Sequence, residues 1–385
     1  MDHKTFLKNK SICTLPWSGF ELEADGSVKN CVMSKTRLGN INQSSIENIL
    51  GGEVNTKLKK DMLGDKMPYN CSGCHLQEKG KSDLNSISSR LYYHKELGKK
   101  IDMNFYDDVK NFSLKHVDLR WTNSCNLACV YCYPEFSSKW AQELGVNIKS
   151  ADNARQEVKN YVFRNITKLE NVYLAGGEPM LMKENLEFLQ ILKEKNPSCN
   201  IRINTNLSTT KTGIFELLCN FKNVHWTVSV ESIEAEYEYI RHHASWQNFL
   251  DNLKIIREFD HKISFNMLHF ILNYNSIFGC VDYLKGIGFN DNSFIIGPLH
   301  SPRYYNILNL PDVMIDNLKV TLKQKLEQSP TGYLKNSYQN LLMYYTSTPW
   351  KKNIDEFLHT TKIQDERRNV SCRKIFRELF AELDA

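Results

Sequence analysis

The chain has 385 residues, of which 41% are hydrophobic and 24% charged, with a net charge of +5. That length accommodates two domains or one enlarged α/β barrel, and so small a charge suits an anionic substrate without indicating a nucleic-acid-binding protein. No 18-residue apolar run and no signal-peptide core is present, including at "MDHKTFLKNKSICTLPW", so the sequence predicts a soluble, cytoplasmic protein without a membrane partner.

The first ~110 residues differ in character from the rest of the chain, since domain boundaries fall in polar, weakly patterned stretches. "FELEADGSVKNCVM" alternates around Asp25-Gly26, a hairpin signal. "SSIENILGGEVNTKLKKDML" predicts a helix broken at Gly51-Gly52, and "LNSISSRLYYHKELGKK" a further helix before a polar stretch near Met103–Asn111. From there strand, loop and helix repeat. The strands are "HVDLRWT", "NVYLAG", "IRINTN", "VHWTVSVE", "ISFNMLHFI" and "NSFIIGPL", with helices such as "KENLEFLQILKEK" and "SWQNFLDNLKIIREF" between them. Alternation of this kind predicts a parallel sheet with right-handed crossovers. Six units suit a partial (β/α)6 TIM barrel, with its chemistry at the C-terminal strand ends. From about Pro311 the chain reads as helical, through "DEFLHTT" and "RKIFRELFAEL". The expected division is 1–110, 111–310 and 311–385.

Eleven cysteines are many for such a chain. A large protein with an odd cysteine count and no signal peptide fits a disulfide framework poorly, so clustered cysteines point to metal or redox chemistry. Cys125, Cys129 and Cys132 are spaced C-x3-C-x2-C directly after "HVDLRWT". A structural zinc site takes four protein ligands, and a 4Fe–4S cluster ordinarily takes four thiolates. Three thiolates leave one iron open to an exogenous ligand.

This loop resembles the signature of radical S-adenosylmethionine (SAM) enzymes, and the resemblance extends over Val117–Leu299. "AGGEP" (Ala175–Pro179) is similar to that family's glycine-rich motif for the methionine amino group. "NTN" (Asn204–Asn206) and "SVES" (Ser229–Ser232) fall where the family makes ribose and carboxylate contacts. The resemblance implies that Cys125, Cys129 and Cys132 bind three irons while SAM chelates the fourth. It implies that Tyr131 packs near adenine, and that Gly176 and Gly177 let carbonyls approach the ammonium, with Glu178 helping to hold it. Asn204, Asn206, Ser229, Glu231 and Arg241 are the remaining expected SAM contacts. Plainer readings stand beside these. The glycine turn is then only a turn, Asn204 and Asn206 cap a helix, Ser229 is a small core residue, and Arg241, His242 and His243 lie on the surface. His300, Arg303 and Tyr304 are positional candidates for substrate contact.

Cys13, Cys31, Cys71 and Cys74 form a second set, two on a hairpin and two in "CSGC". Zinc or an iron–sulfur cluster satisfies four thiolates equally. The pattern resembles the twitch domain, a short relative of the SPASM domain, which implies an auxiliary 4Fe–4S cluster. Here, unlike most relatives, it precedes the barrel. Cys199, Cys219, Cys280 and Cys372 remain, the first three beside apolar runs that suit buried small hydrophobes.

The family resemblance implies two 4Fe–4S clusters, SAM, and an external electron donor such as flavodoxin or ferredoxin. It implies reductive cleavage of SAM to a 5′-deoxyadenosyl radical that abstracts hydrogen from a substrate. A peptide, modified by epimerisation or crosslinking, is the favoured substrate. Dehydrogenation or rearrangement of a small molecule, sugar or nucleotide is the alternative, because only twelve residues precede Cys13 and no separate peptide clamp is evident there. A zinc-containing nucleic-acid-binding protein is the remote third reading, disfavoured by the lack of a basic stripe with interleaved aromatics.

Overall fold

The computed structural model describes residues 9, 11–78, 88–97, 103–148, 152–329 and 331–384. It is an α/β protein with a parallel sheet, and its contacts divide it into two units. The first comprises Met1–Cys125, Pro134–Asn204 and Lys211–His225; the second comprises Asn126–Tyr133, Thr205–Thr210 and Trp226–Ala385.

In the first unit the Asp25-Gly26 hairpin forms as its sequence predicts. Strand β1 (Gly19–Leu22) pairs antiparallel with β2 (Ser27–Lys29), which pairs with the short β3 (Gly39–Asn40). Gly26 sits at φ +84°, in the left-handed region that glycine enters without steric cost. The Asp25 carboxylate accepts from the Ser27 amide at 2.9 Å and tightens the turn. The helix broken at Gly51-Gly52 is observed as Ile46–Leu50 and Glu53–Leu63. Of "LNSISSRLYYHKELGKK", Ser89–Leu97 is helical, and residues 84–87 and 98–100 lie outside the described residues.

The N-terminal region does not carry a sheet of its own. β1 runs parallel to β4 (His116–Leu119), which pairs in parallel with β5 (Asn171–Leu174), and that strand with β6 (Asn200–Thr205). The polar stretch marked by the sequence as a boundary is held firmly. The buried Lys59 ammonium donates to the carbonyls of Val109 and Asn111 at 3.0 and 2.9 Å. Beside it lies an apolar core of Ile12, Leu15, Trp17, Leu58, Met62, Leu97 and Tyr106, of which Cys13 is part and against which Cys31 and Cys71 pack.

The second unit holds most of β7 (Val224–Ser229), then β8 (Lys262–His269) and β9 (Phe294–Pro298), the last two paired in parallel. Helices Glu234–Ile240, Trp246–Ile256 and Ser276–Gly286 separate these strands, the β/α alternation that the sequence predicts. The C-terminal part is helical as expected: Asp312–Gln328, Gly332–Ser347, Ile354–Arg368, Cys372–Ile375 and Arg377–Leu383. Among the described residues no helix is long and apolar enough to cross a membrane.

Candidate functional site

The four N-terminal cysteines line one cavity. Cys13, Cys31, Cys71 and Cys74 surround it together with Met33, Met67 and Arg90. Four positions spread along the chain converge because each rides on a packed element. Cys13 precedes the buried Leu15–Ser18 turn and Cys31 follows β2. Cys71 and Cys74 sit where a 3-10 turn enters the helix Ser72–Glu78. Arg90 braces the wall. It forms a buried ion pair with Glu78 at 2.5 Å and donates to the carbonyls of Asn9 and Ile12, at 3.2 and 3.3 Å, just ahead of Cys13.

Burial and mutual proximity push the Cys13, Cys31 and Cys71 thiols well up, Cys71 to about 12. Thiols in that state ionise only when a cation compensates them, which fits a metal-bearing group. None of the eleven cysteines, all within the described residues, forms a disulfide. Among the described residues no three Cys, His, Asp or Glu side chains gather around a single ion-sized point. A cluster with thiolates at its corners is a larger body than one ion, and this donor set suits it.

Cys125 follows the C-terminal end of β4 and belongs to the first unit. Ser138 grips its backbone from both sides. The Cys125 amide donates to Ser138 Oγ at 3.1 Å, and the Ser138 hydroxyl donates to the Cys125 carbonyl at 3.0 Å. The Gly176-Gly177-Glu178 turn packs against the same loop. Gly176 has φ +115°, and a side chain on Gly177 would run into the Ser124 carbonyl. The Glu178 amide donates to that carbonyl at 2.7 Å. The Glu178 carboxylate is buried and accepts from the Met180 amide at 3.1 Å, capping Pro179–Leu181. These glycines therefore bring the second strand end against the cysteine loop, a role additional to the one the motif implies.

One row of this sheet is polar. Glu21, Asp118, Tyr173 and Arg202 stand in register on β1, β4, β5 and β6. Arg120 donates to both Asp118 oxygens at 3.1 and 2.9 Å and ion-pairs with Glu21 at 3.2 Å. Among the described residues, His116 Nδ1, Asn171 Nδ2 and Asn204 Oδ1 are buried and find no hydrogen-bond partner. Burial, reinforced by Asp118, raises the Glu21 carboxyl to about 7. Sequence patterning did not single out Glu21, Asp118 or Arg120, although charged residues inside strand patterns were the available signal.

The second unit carries Cys129 and Cys132. Their loop is tied by backbone bonds from Ala128 N–H to His242 and from Val130 N–H to Ile240, at 3.0 and 2.8 Å. Arg241, between those acceptors, is 3% exposed rather than on the helix surface. It binds the buried Glu231 carboxylate with two donors, at 2.7 and 2.8 Å, and donates to the Tyr131 hydroxyl at 2.9 Å. Tyr131 in turn donates to Glu231 at 3.0 Å, and its ring meets Phe270 edge-on at 5.6 Å. Three predicted residues, Tyr131, Glu231 and Arg241, thus form one network whose charge-assisted bonds fix each member.

Asn206 does not cap a helix: it bonds Asn126 at 3.1 Å and accepts from the Ser208 amide at 2.9 Å, while Thr212 caps Gly213–Cys219. Ser229 is partly exposed rather than core. His242 is partly buried and His243 exposed. Arg303 stacks on Trp350 at 4.3 Å, and His300 packs on Tyr344. Cys199, Cys280 and Cys372 are buried, but Cys219 only partly so.

A Radical SAM superfamily model matches residues 119–284, and a SPASM model, described as an iron-sulfur cluster-binding domain, matches residues 13–75. The chain is 24% identical over 175 residues to GTP 3′,8-cyclase of Campylobacter lari, covering 45% of this chain and 48% of that protein. It is 34% identical over 99 residues to 7-carboxy-7-deazaguanine synthase of Clostridium acetobutylicum, covering 26% and 39%. The chain thus spans about half or less of the length of these curated relatives. The crystal structure of Streptococcus suis SuiB bound to precursor peptide SuiA aligns over 75% of this chain and 65% of that one, with TM-score 0.43 and 18% identity. The two matched domains imply 4Fe–4S clusters and SAM as cofactors. The chain thus carries a radical SAM superfamily domain over residues 119–284 and, on its N-terminal side, an iron–sulfur cluster-binding domain of the SPASM type.

Proposed function

We propose that this protein cleaves SAM reductively and uses the resulting radical to take hydrogen from a substrate. The observation that carries the reading is the three-cysteine loop at the end of β4, braced by the glycine turn and, at Cys129, by the Arg241 network. When bound, the reduced cluster supplies the electron that cleaves SAM to a 5′-deoxyadenosyl radical. Cys125, Cys129 and Cys132 hold that cluster. Asn204, Asn206 and Ser229 orient SAM, and the Gly176–Glu178 turn receives its amino group. Tyr131, Glu231 and Arg241 fix the loop and present a dry, charged wall. Cys13, Cys31, Cys71 and Cys74 would hold an auxiliary cluster, whose chemistry there would be electron transfer. An external one-electron donor such as flavodoxin or ferredoxin supplies the electron.

A peptide is the favoured substrate, on the strength of the SPASM-type domain. A nucleotide is the second reading, favoured by the names of the two curated relatives, a GTP cyclase and a deazaguanine synthase. The experiment is anaerobic reconstitution, reduction and addition of SAM, with 5′-deoxyadenosine quantified alone, with GTP, and with any short peptide encoded beside the gene. No 5′-deoxyadenosine under any condition refutes the radical reading. A mass change confined to GTP refutes the peptide.

A further inference from the structure

Two guanidinium groups converge on Cys129, and only one belongs to the matched domain. Arg241 Nη1 lies 4.0 Å from Cys129 Sγ, directed there because Nε and Nη2 are engaged by Glu231. Arg368 ends the helix Ile354–Arg368, far beyond residue 284 where the matched domain stops. Its Nη2 donates to the Ala128 carbonyl at 2.9 Å, on the peptide that leads into Cys129. Cys129 is buried. The segment is immobilised on the same side by the Ala128 and Val130 amide bonds, so both cations are held at fixed range.

A cluster gains negative charge on reduction. Nearby cations and hydrogen bonds to its sulfurs favour the reduced state and raise its potential. We propose that Arg241 and Arg368 together set the reduction potential of the cluster held by Cys125, Cys129 and Cys132, and so decide which electron donor can reduce it. The proposal rests on the radical reading above. Arg368 is then a tuning residue supplied by the C-terminal helical segment, which makes that segment part of the redox site.

The test is an anaerobic redox titration of the holoenzyme, following the paramagnetic signal that responds to SAM. Arg368→Gln should move that signal to a more negative midpoint with full iron content, and Arg368→Lys should restore part of the shift because it keeps the charge. The SAM-insensitive signal of the auxiliary cluster should stay in place. For Arg241, the paired variant Glu231→Gln with Arg241→Met avoids a buried unpaired carboxylate and, because it deletes a cation and an anion together, should shift the midpoint less than Arg368→Gln does. A wild-type midpoint in Arg368→Gln overturns the tuning role. So does loss of the SAM-responsive signal in Arg368→Gln and Arg368→Lys alike, which would make the contact purely structural. If the wild type itself shows no SAM-responsive signal, the radical reading fails and this inference with it.

Discussion

The two cysteine sets are built in opposite ways. Cys125, Cys129 and Cys132 fall within eight residues, so chain connectivity alone keeps them close. Cys13, Cys31, Cys71 and Cys74 span more than sixty positions and meet only because the N-terminal core packs them around one cavity. The first set depends on tertiary structure for its electrostatics, through Glu231, Arg241 and Arg368. The second depends on it for existing at all. A ligand set assembled by packing should fail with the fold, whereas one assembled by connectivity should fail by chemistry while the fold survives.

The largest expected effect breaks the comparison at the loop. Replacing Cys125, Cys129 and Cys132 with alanine should abolish 5′-deoxyadenosine formation and lower iron from about eight to about four per chain, by the four-iron composition of each cluster. Circular dichroism should stay native. A variant that still cleaves SAM would place the radical site elsewhere.

Changing Cys71 and Cys74 to alanine should act through folding as well, because binding energy at a packed site is partly folding energy. Limited proteolysis should open the segment around residues 13–75 first. 5′-deoxyadenosine should still form while product falls at least tenfold. Normal product from a folded variant lacking this cluster removes the relay role.

Arg241→Met sharpens the contrast. It strands the buried Glu231 carboxylate, which costs about 3–5 kcal/mol for a broken buried pair. Urea denaturation should show that loss, and adding Glu231→Gln should recover most of it. Equal stability in the single and paired variants would show that the pair is not holding the loop.

The smallest effect concerns Glu21, on the strand that joins the N-terminal region to the barrel sheet. Its folded value of about 7 lies above the ordinary 4.5, raised by burial and then by Asp118. The folded protein therefore holds this proton more tightly than the unfolded chain. Stability is lost as pH rises from about 4.5 through 7, on the order of 3 kcal/mol at one pKa unit per ~1.4 kcal/mol. Glu21→Gln removes that loss and leaves Arg120 its two bonds to Asp118. Urea midpoints should favour the variant more at pH 8 than at pH 5. A constant difference across that range refutes a neutral, buried Glu21.

The sequence by itself determined the strand and helix order, the Gly26 turn, the break at Gly51-Gly52 and the close spacing of Cys125, Cys129 and Cys132. Each arises from short-range periodicity, backbone restriction or spacing, which need no distant partner. It also marked Arg241, Glu231 and Tyr131, but as separate candidates. Only the tertiary structure decided that they form one network. Nor did spacing show that β1 joins β4, that Gly177 leaves room for Ser124, or that Arg368 reaches Ala128. Those facts depend on which surfaces meet after folding, and a charged side chain carries the same letter whether it faces water or a buried carbonyl.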